Sequence, residues 1–392
     1  MKFTFNNGVL YVPVTYMRGG TSTGIMLLEE NLPKDQQLKE ELLRHIMGSP
    51  LFGEIKQNKQ ITGLGRGYPT SNKCFIIKKS NKIGINLEST LAQLSHNKSD
   101  IDWRVNCGNM SSAIPLYALE QGLICERSED VTIYNTNTDT IMECKLNYDT
   151  QSQLTKINIA GVMGLYPGVR LSLQNPVGVK TGKLLPSGEA LQTINGVRVS
   201  CLDVSVPMVI LSADDLGVSV ADMSKRYLDD EVFKKHFLKI WVEAAETMNI
   251  RDKQGDLIKA EDLANSETMP KVCVVSKPND ENSHIQVQYF TPQSAHVSLA
   301  VSGGSCLAVA CLTPGTIAYE CAQRTPELSD ETKVHCVKIR HPAGVMNAYV
   351  EASLSNGEVC INTASYERSA QTLLDGQCPI YQASDELLSA YL

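Results

Sequence analysis

Two segments of this chain are apolar on nearly every side, and they constrain its fold more than anything else in the sequence. Residues 111–121 and 307–312 are compatible with helix, yet neither offers solvent a polar face. A helix without a polar stripe must be enclosed. Around these two, the chain is mostly short strand-like runs bounded by Gly, Pro, Asn or Ser, at 9–16, 73–78, 130–134, 156–159, 196–203, 271–276, 285–290, 332–340 and 347–354. Each apolar segment follows a small-residue turn that carries a cysteine, at 106–111 and at 302–306. The turns lie about 195 residues apart, half of a 392-residue chain. Strands wrapped around one buried helix, done twice, account for that spacing, although the halves share little sequence. We expect an α+β architecture of two domains, with a crossover at 176–188. The first domain would span 1–185, with residues 378–392 as a tail that could return to it, and the second 186–377.

Two more polar helices are expected. Residues 34–47 carry Leu38, Leu42, Leu43 and Ile46 on one face, and 229–248 carry Val232, Phe237, Ile240, Trp241 and Ala244 near helical spacing. Residues 252–268 read as a polar loop.

Charge and motif content narrow the function. With 36 Lys and Arg against 43 Asp and Glu, the net charge is −7, which gives no basic field for nucleic acid. No run approaches the roughly 20 uninterrupted apolar residues of a membrane helix, and no secretory leader is visible, so a cytoplasmic location is expected. The twelve cysteines fall singly with no C-x-x-C, mostly in apolar segments, and read as reduced, buried thiols. The chain has no H-E-x-x-H, no Asp-rich calcium loop and no G-x-S-x-G elbow, so neither a metal site nor a serine hydrolase is expected.

Four places could carry chemistry. In Met17-Arg18-Gly19-Gly20-Thr21-Ser22-Thr23-Gly24 a strand ends in a Gly/Ser/Thr turn. Arg18 could clamp a carboxylate there, with Thr21 and Ser22 adding donors; an ordinary hairpin with a surface arginine fits the residues equally well. Residues 63–73 form a loop that feeds Lys73 into the apolar run Cys74-Phe75-Ile76-Ile77. A lysine at that mouth would be desolvated into a base, or would snorkel to water. Cys107, Gly108, Asn109 and Met110 precede the first enclosed helix, where unpaired amides can lower a thiol pKa or cradle a carboxylate; a plain helix cap is the alternative. Ser302, Gly303, Gly304 and Ser305 make a second small-residue turn, with Cys306 reading as core. His341, in a turn after Arg340, could reach a cleft or be only a turn residue.

Together these segments resemble the PrpF family of methylaconitate isomerases, whose fold is similar to that of diaminopimelate epimerase. The resemblance runs nearly end to end, through residues 16–24, 63–74, 106–112, 180–188, 199–204, 302–308, 340–344 and 367–376. It implies two pseudo-symmetric domains, each a barrel-like sheet around a central buried helix, with the active site between them. It also implies isomerisation of unsaturated di- or tricarboxylic acids without metal or organic cofactor. The family's catalytic lysine and cysteine fall on Lys73 and Cys107, and Arg18, Thr21, Ser22 and Ser71 would hold carboxylates. Backbone amides at Gly108-Asn109 and Gly303-Gly304 would stabilise an enediolate. Diaminopimelate epimerase uses a cysteine from each half, and Val301 stands at the second place here, which disfavours a two-thiol epimerase. Many members have lysine where this chain has Thr23, and Arg66 with Tyr68 gives the loop an unusual composition. Relatives that tautomerise 4-oxalomesaconate or shift the double bond of methylitaconate are alternatives within the resemblance; a non-catalytic carboxylate-binding accessory protein on the same scaffold is an alternative of another class. A small acid is thus the expected partner, and a homodimer is compatible with the sequence.

Overall fold

The computed structural model describes residues 2–125, 130–252, 255–266, 269–355 and 357–392. The chain divides into two compact units. The first comprises Met1–Asn158, Val162–Leu171 and Arg368–Leu392, and the second Ile159–Gly161 and Ser172–Glu367.

In the first unit the strands pair in a cycle. Val9–Gly19 pairs with Ser22–Leu28, which runs parallel to Lys73–Lys79; that strand pairs with Leu87–Leu94, which lies parallel to Val131–Asn135. Thr140–Leu146 and Tyr166–Gln174 follow, and the long strand Glu358–Ile380 returns to Val9–Gly19. Eight strands therefore close a barrel. Side chains alternate across its wall. Ile25, Leu27, Cys74, Ile76, Ala92 and Leu94 face outward, where Leu42, Leu43 and Ile46 of the Gln36–Met47 helix cover them. Their neighbours Met26, Phe75, Ile77 and Leu91 face the other way and are wholly buried, as are Met110 and Ile114 of the enclosed segment. The expected single helix over 111–121 is two pieces, Gly108–Ser111 and Ile114–Glu120. Pro115, which lacks the amide that would bond back across the junction, suits the first turn of the second piece.

The second unit repeats the theme. Its strands run from Gln192–Ile194 through Val197–Val204, Val206–Ser212, Lys271–Ser276, Ile285–Thr291, Lys333–His341 and Gly344–Ser355 to the first part of Glu358–Ile380. They pack around the helix Val301–Leu312, whose residues from Gly303 onward are all buried. That helix starts earlier than expected: 302–306 is its first turn and a half and not a preceding loop. The paired glycines resemble a turn, because Gly usually marks turns. Here they serve close packing. A Cβ on Gly303 would lie 2.5 Å from the Tyr289 ring. On the outer face of this unit, Glu231–Thr247 occupies the region expected as a helix over 229–248, and Val220–Asp229 before it was not expected; each is capped by a side chain, Asp230 and Ser219 respectively. Residues 260–265, expected as loop, are a short helix; 253–254 and 267–268 of that segment lie outside the described residues. The two units match the expected plan of a sheet around a central buried helix. Among the described residues, no helix is long and apolar enough to cross a membrane.

Adding a methyl group at Gly303 should test the packing of the central helix. Gly303→Ala is expected to lower unfolding free energy by about 1–3 kcal/mol in a denaturant titration, the usual cost of overpacking. An unchanged midpoint would contradict the close approach to Tyr289.

Candidate active site

The first unit's barrel holds a lysine almost wholly out of water. Lys73 opens its strand directly opposite Gln93, and both continue the inward column of Phe75, Ile77 and Leu91. Only 6% of the Lys73 surface is exposed. Its amine donates to the Pro69 carbonyl at 2.5 Å and to Gln93 Oε1. Burial pushes the Lys73 pKa down, and the nearby Cys107 thiol acts in the opposite sense through its charge. Lysine and cysteine, 34 positions apart in the chain, are thus electrostatic neighbours.

The Gly-rich hairpin brings them together. Val9–Gly19 and Ser22–Leu28 are joined by a tight turn at Gly20-Thr21, so 17–24 is mostly strand. Three of its glycines stand where a methyl group would not fit, two of them against backbone and one against a side chain. A Cβ on Gly19 would stand 2.6 Å from the Asn109 carbonyl oxygen, and one on Gly24 2.7 Å from that of Lys73. Gly20, at φ +53°, would place its Cβ against Asn109 Oδ1. The hairpin is therefore wedged against the Lys73 strand on one side and the start of the enclosed helix on the other. Ser22 Oγ lies 3.9 Å from Cys107 Sγ. Cys107 is the residue before the short helix and makes no side-chain cap, so its thiol is not spent on the backbone. The amides of Gly108, Asn109 and Met110 stand in a first turn, where no earlier helical carbonyl exists to receive them.

Other candidates fall differently. Thr21 is exposed, and its hydroxyl accepts from Asn109 Nδ2 at 3.2 Å. Ser71 is buried and donates to the Tyr68 carbonyl within its own turn. Arg18 pairs with Thr23 and shares a column with Tyr16, so alternation sets it on the opposite face of the wall from Ser22, Gly24 and Lys73. Its Nη1 donates to the carbonyls of Gly20 and Ser369, its guanidinium lies 4.6 Å from the Tyr166 ring, and Nη2 is enclosed without a hydrogen-bond partner. Arg18 braces the hairpin. In the second unit, Ser302 is half-buried, while Gly303, Gly304, Ser305 and His341 are buried. The Gly304 amide, expected to bind an anion, already donates to the Ala300 carbonyl at 2.8 Å, because the helix begins before it. Among the described residues, no three His, Cys, Asp or Glu side chains are grouped to hold a metal.

Two polar residues of the site were not singled out from the sequence. Gln93 gave no signal there, since it is one polar residue in an unremarkable strand. Arg368, 8% exposed, donates from Nε to Asn109 Oδ1 at 3.0 Å and so fixes the amide that reaches Thr21. It lies within the 367–376 segment of the family resemblance, which was the available clue.

The model of the PrpF protein family matches residues 9–381. The chain belongs to the PrpF family. It is 29% identical over 372 residues to the putative isomerase YbhH of Escherichia coli K12, covering 93% of this chain and 98% of that one. It is 30% identical to the (4E)-oxalomesaconate Delta-isomerase of Novosphingobium sp. KA1, covering 93% and 96%. Other PrpF relatives are named 3-methylitaconate isomerase and 2-methyl-aconitate isomerase. Among solved structures, a methylitaconate-delta-isomerase superposes with a TM-score of 0.79 at 24% identity, over 95% of this chain and 96% of that one. That likeness shows the fold. The enzyme class of this PrpF chain is isomerase, as the sequence led us to expect.

The displaced lysine has a consequence for stability. Its folded-state pKa is lowered, so between that value and the usual value near 10.4 the unfolded chain holds more protons. Stability from this group therefore rises with pH across that window. Lys73→Met should flatten the rise in denaturant midpoints measured from neutral pH toward pH 10. An identical slope in both proteins would show that the Lys73 amine is not desolvated.

Proposed function

We propose that this PrpF protein isomerises an unsaturated tricarboxylic acid of the aconitate or methylaconitate type, with Lys73 and Cys107 as its two proton-transfer groups. The observation that carries the reading is the pairing of a desolvated amine with a thiol at one end of a barrel. A carbon next to a carboxylate-bearing C=C is weakly acidic, and its proton leaves only if the resulting dienolate is stabilised. One of the two groups takes that proton as the allylic C–H bond breaks. The electron pair spreads over the double bond and its carboxylate. Rotation within the delocalised intermediate, or proton return at another carbon, gives the isomer, and the other group supplies that proton. Solvent exchange then restores the starting protonation states. No electrons are gained or lost, so the reading needs no cofactor.

The charge developed on the carboxylate needs donors that do not have to reorganise. The amides of Gly108, Asn109 and Met110 and the Ser22 hydroxyl suit that role, worth several kcal/mol by the behaviour of such donors elsewhere. Arg18 and Ser71 support the site through the backbone they hold. Tautomerisation of 4-oxalomesaconate and the double-bond shift of methylitaconate use the same two proton transfers. The names of the relatives favour those as the second reading.

Incubation in deuterium oxide with a panel of these acids tests the proposal. Deuterium should enter the turned-over acid at the position of proton return. Lys73→Ala and Cys107→Ser should each lower the rate by about 10²- to 10⁴-fold, the range for loss of a proton-transfer group. Turnover without deuterium entry, or near-native rates in Lys73→Ala, would remove these residues from the mechanism.

A further inference from the structure

Gln93 has one environment in which its amide can sit. It lies directly across from Lys73 in the neighbouring strand, where paired side chains share a face. Its Nε2 is placed to donate to the carbonyls of Asn72 at 2.9 Å and Pro69 at 3.2 Å, both of which can only accept. A flipped amide would set its oxygen against those two oxygens and its NH₂ against the lysine amine. Gln93 Oε1 is therefore fixed as an acceptor toward Lys73. The Pro69 carbonyl, held by the same Nε2, accepts from the lysine as well.

We propose that Gln93 is a positioning residue for Lys73, which with the Pro69 carbonyl engages two valences of Nζ and leaves the third as the one that exchanges a proton. A neutral amine has two N–H bonds and a lone pair, and an ammonium has three N–H bonds. Both forms satisfy the same two acceptors. Taking up or releasing a proton then changes the third valence alone, and the side chain need not move during turnover. Both anchors also favour the ammonium, since a charged donor makes the stronger bond. They oppose the burial that drives the proton off, so Gln93 sets where Lys73 titrates. Among the described residues, Cys107 is the titratable group whose charge acts on the Lys73 amine. The hairpin contributes Ser22 and Gly24, the 69–72 turn contributes carbonyls and Ser71, and the neighbouring strand contributes Gln93 itself. This inference deepens the proposed function, because it matters to catalysis only if Lys73 moves a proton there.

The test reads Lys73 without turnover. Carbon-13 NMR of lysine-labelled protein, with the Lys73 signal assigned by its loss in Lys73→Arg, gives the pH at which this amine titrates. Gln93→Leu, which removes an acceptor, should move that pH down. Gln93→Glu, which adds a negative charge in contact, should move it up by about one pH unit or more. The lysine limb of the pH–rate profile should move in the same two directions, a response that a purely structural contact would not give. An unshifted Lys73 signal in either folded variant would overturn the inference, as would loss of folding in both. The two proposals fail separately. Shifted titration with no deuterium entry from any acid would sink the isomerase reading and leave Gln93 in place. Deuterium entry with an unmoved titration would do the reverse.

Discussion

The constraint on which the site depends is the burial of one amine. Lys73 starts a strand whose next two inward residues, Phe75 and Ile77, are apolar and wholly buried, so its head group is drawn into the wall at the point where the barrel opens. An ammonium there costs free energy that only nearby oxygens can offset. Among the described residues, two neutral acceptors and no carboxylate lie in hydrogen-bonding contact with it. A carboxylate partner would have fixed the amine as a permanent cation. Carbonyl partners instead leave both protonation states accessible, as the proposed proton transfers require.

The same burial explains the glycines of the hairpin. To set Cys107 near the amine, the start of the enclosed helix and the Lys73 strand must both approach the hairpin backbone more closely than a Cβ permits. Gly19 and Gly24 meet that need on its two sides, and Gly20 turns the chain between them. Ser22, between the glycines, is left facing the thiol. Arg18 and Arg368 brace the arrangement, one through the Ser369 carbonyl and the other through Asn109. The geometry of the candidate site is thus a product of backbone proximity, and the charged residues around it are mostly its supports.

The sequence made much of this legible. Apolar runs without a polar face revealed both central helices, and the break before an apolar strand pointed to Lys73. Membership of the PrpF family was visible in the order of short motifs. The helix of the second unit began earlier than expected because Gly303 and Gly304 look like turn residues, while their actual requirement is imposed by Tyr289 and Met346, distant in sequence. Arg18 looks like an anion clamp in the sequence because Gly19 and Gly20 suggest that the strand ends before it. In fact the strand continues to Gly19, and alternation turns the guanidinium to the other face. The closing strand Glu358–Ile380, too polar over much of its length to show a strand pattern, was missed, and with it Arg368. Gln93 had no local signature at all. Its importance comes from register, which pairing across strands sets and a single strand's sequence does not.

The account stands on Lys73 and Cys107 lying within reach of one small molecule. o-Phthalaldehyde condenses with an amine and a thiol that are neighbours to give a fluorescent isoindole, so it reads that geometry directly. Treatment of the folded protein should produce an isoindole that peptide mapping assigns to Lys73 and Cys107, with its fluorescence lost in Cys107→Ser. Absence of that adduct in native protein, with adducts formed only at other lysine–cysteine pairs, would contradict the account.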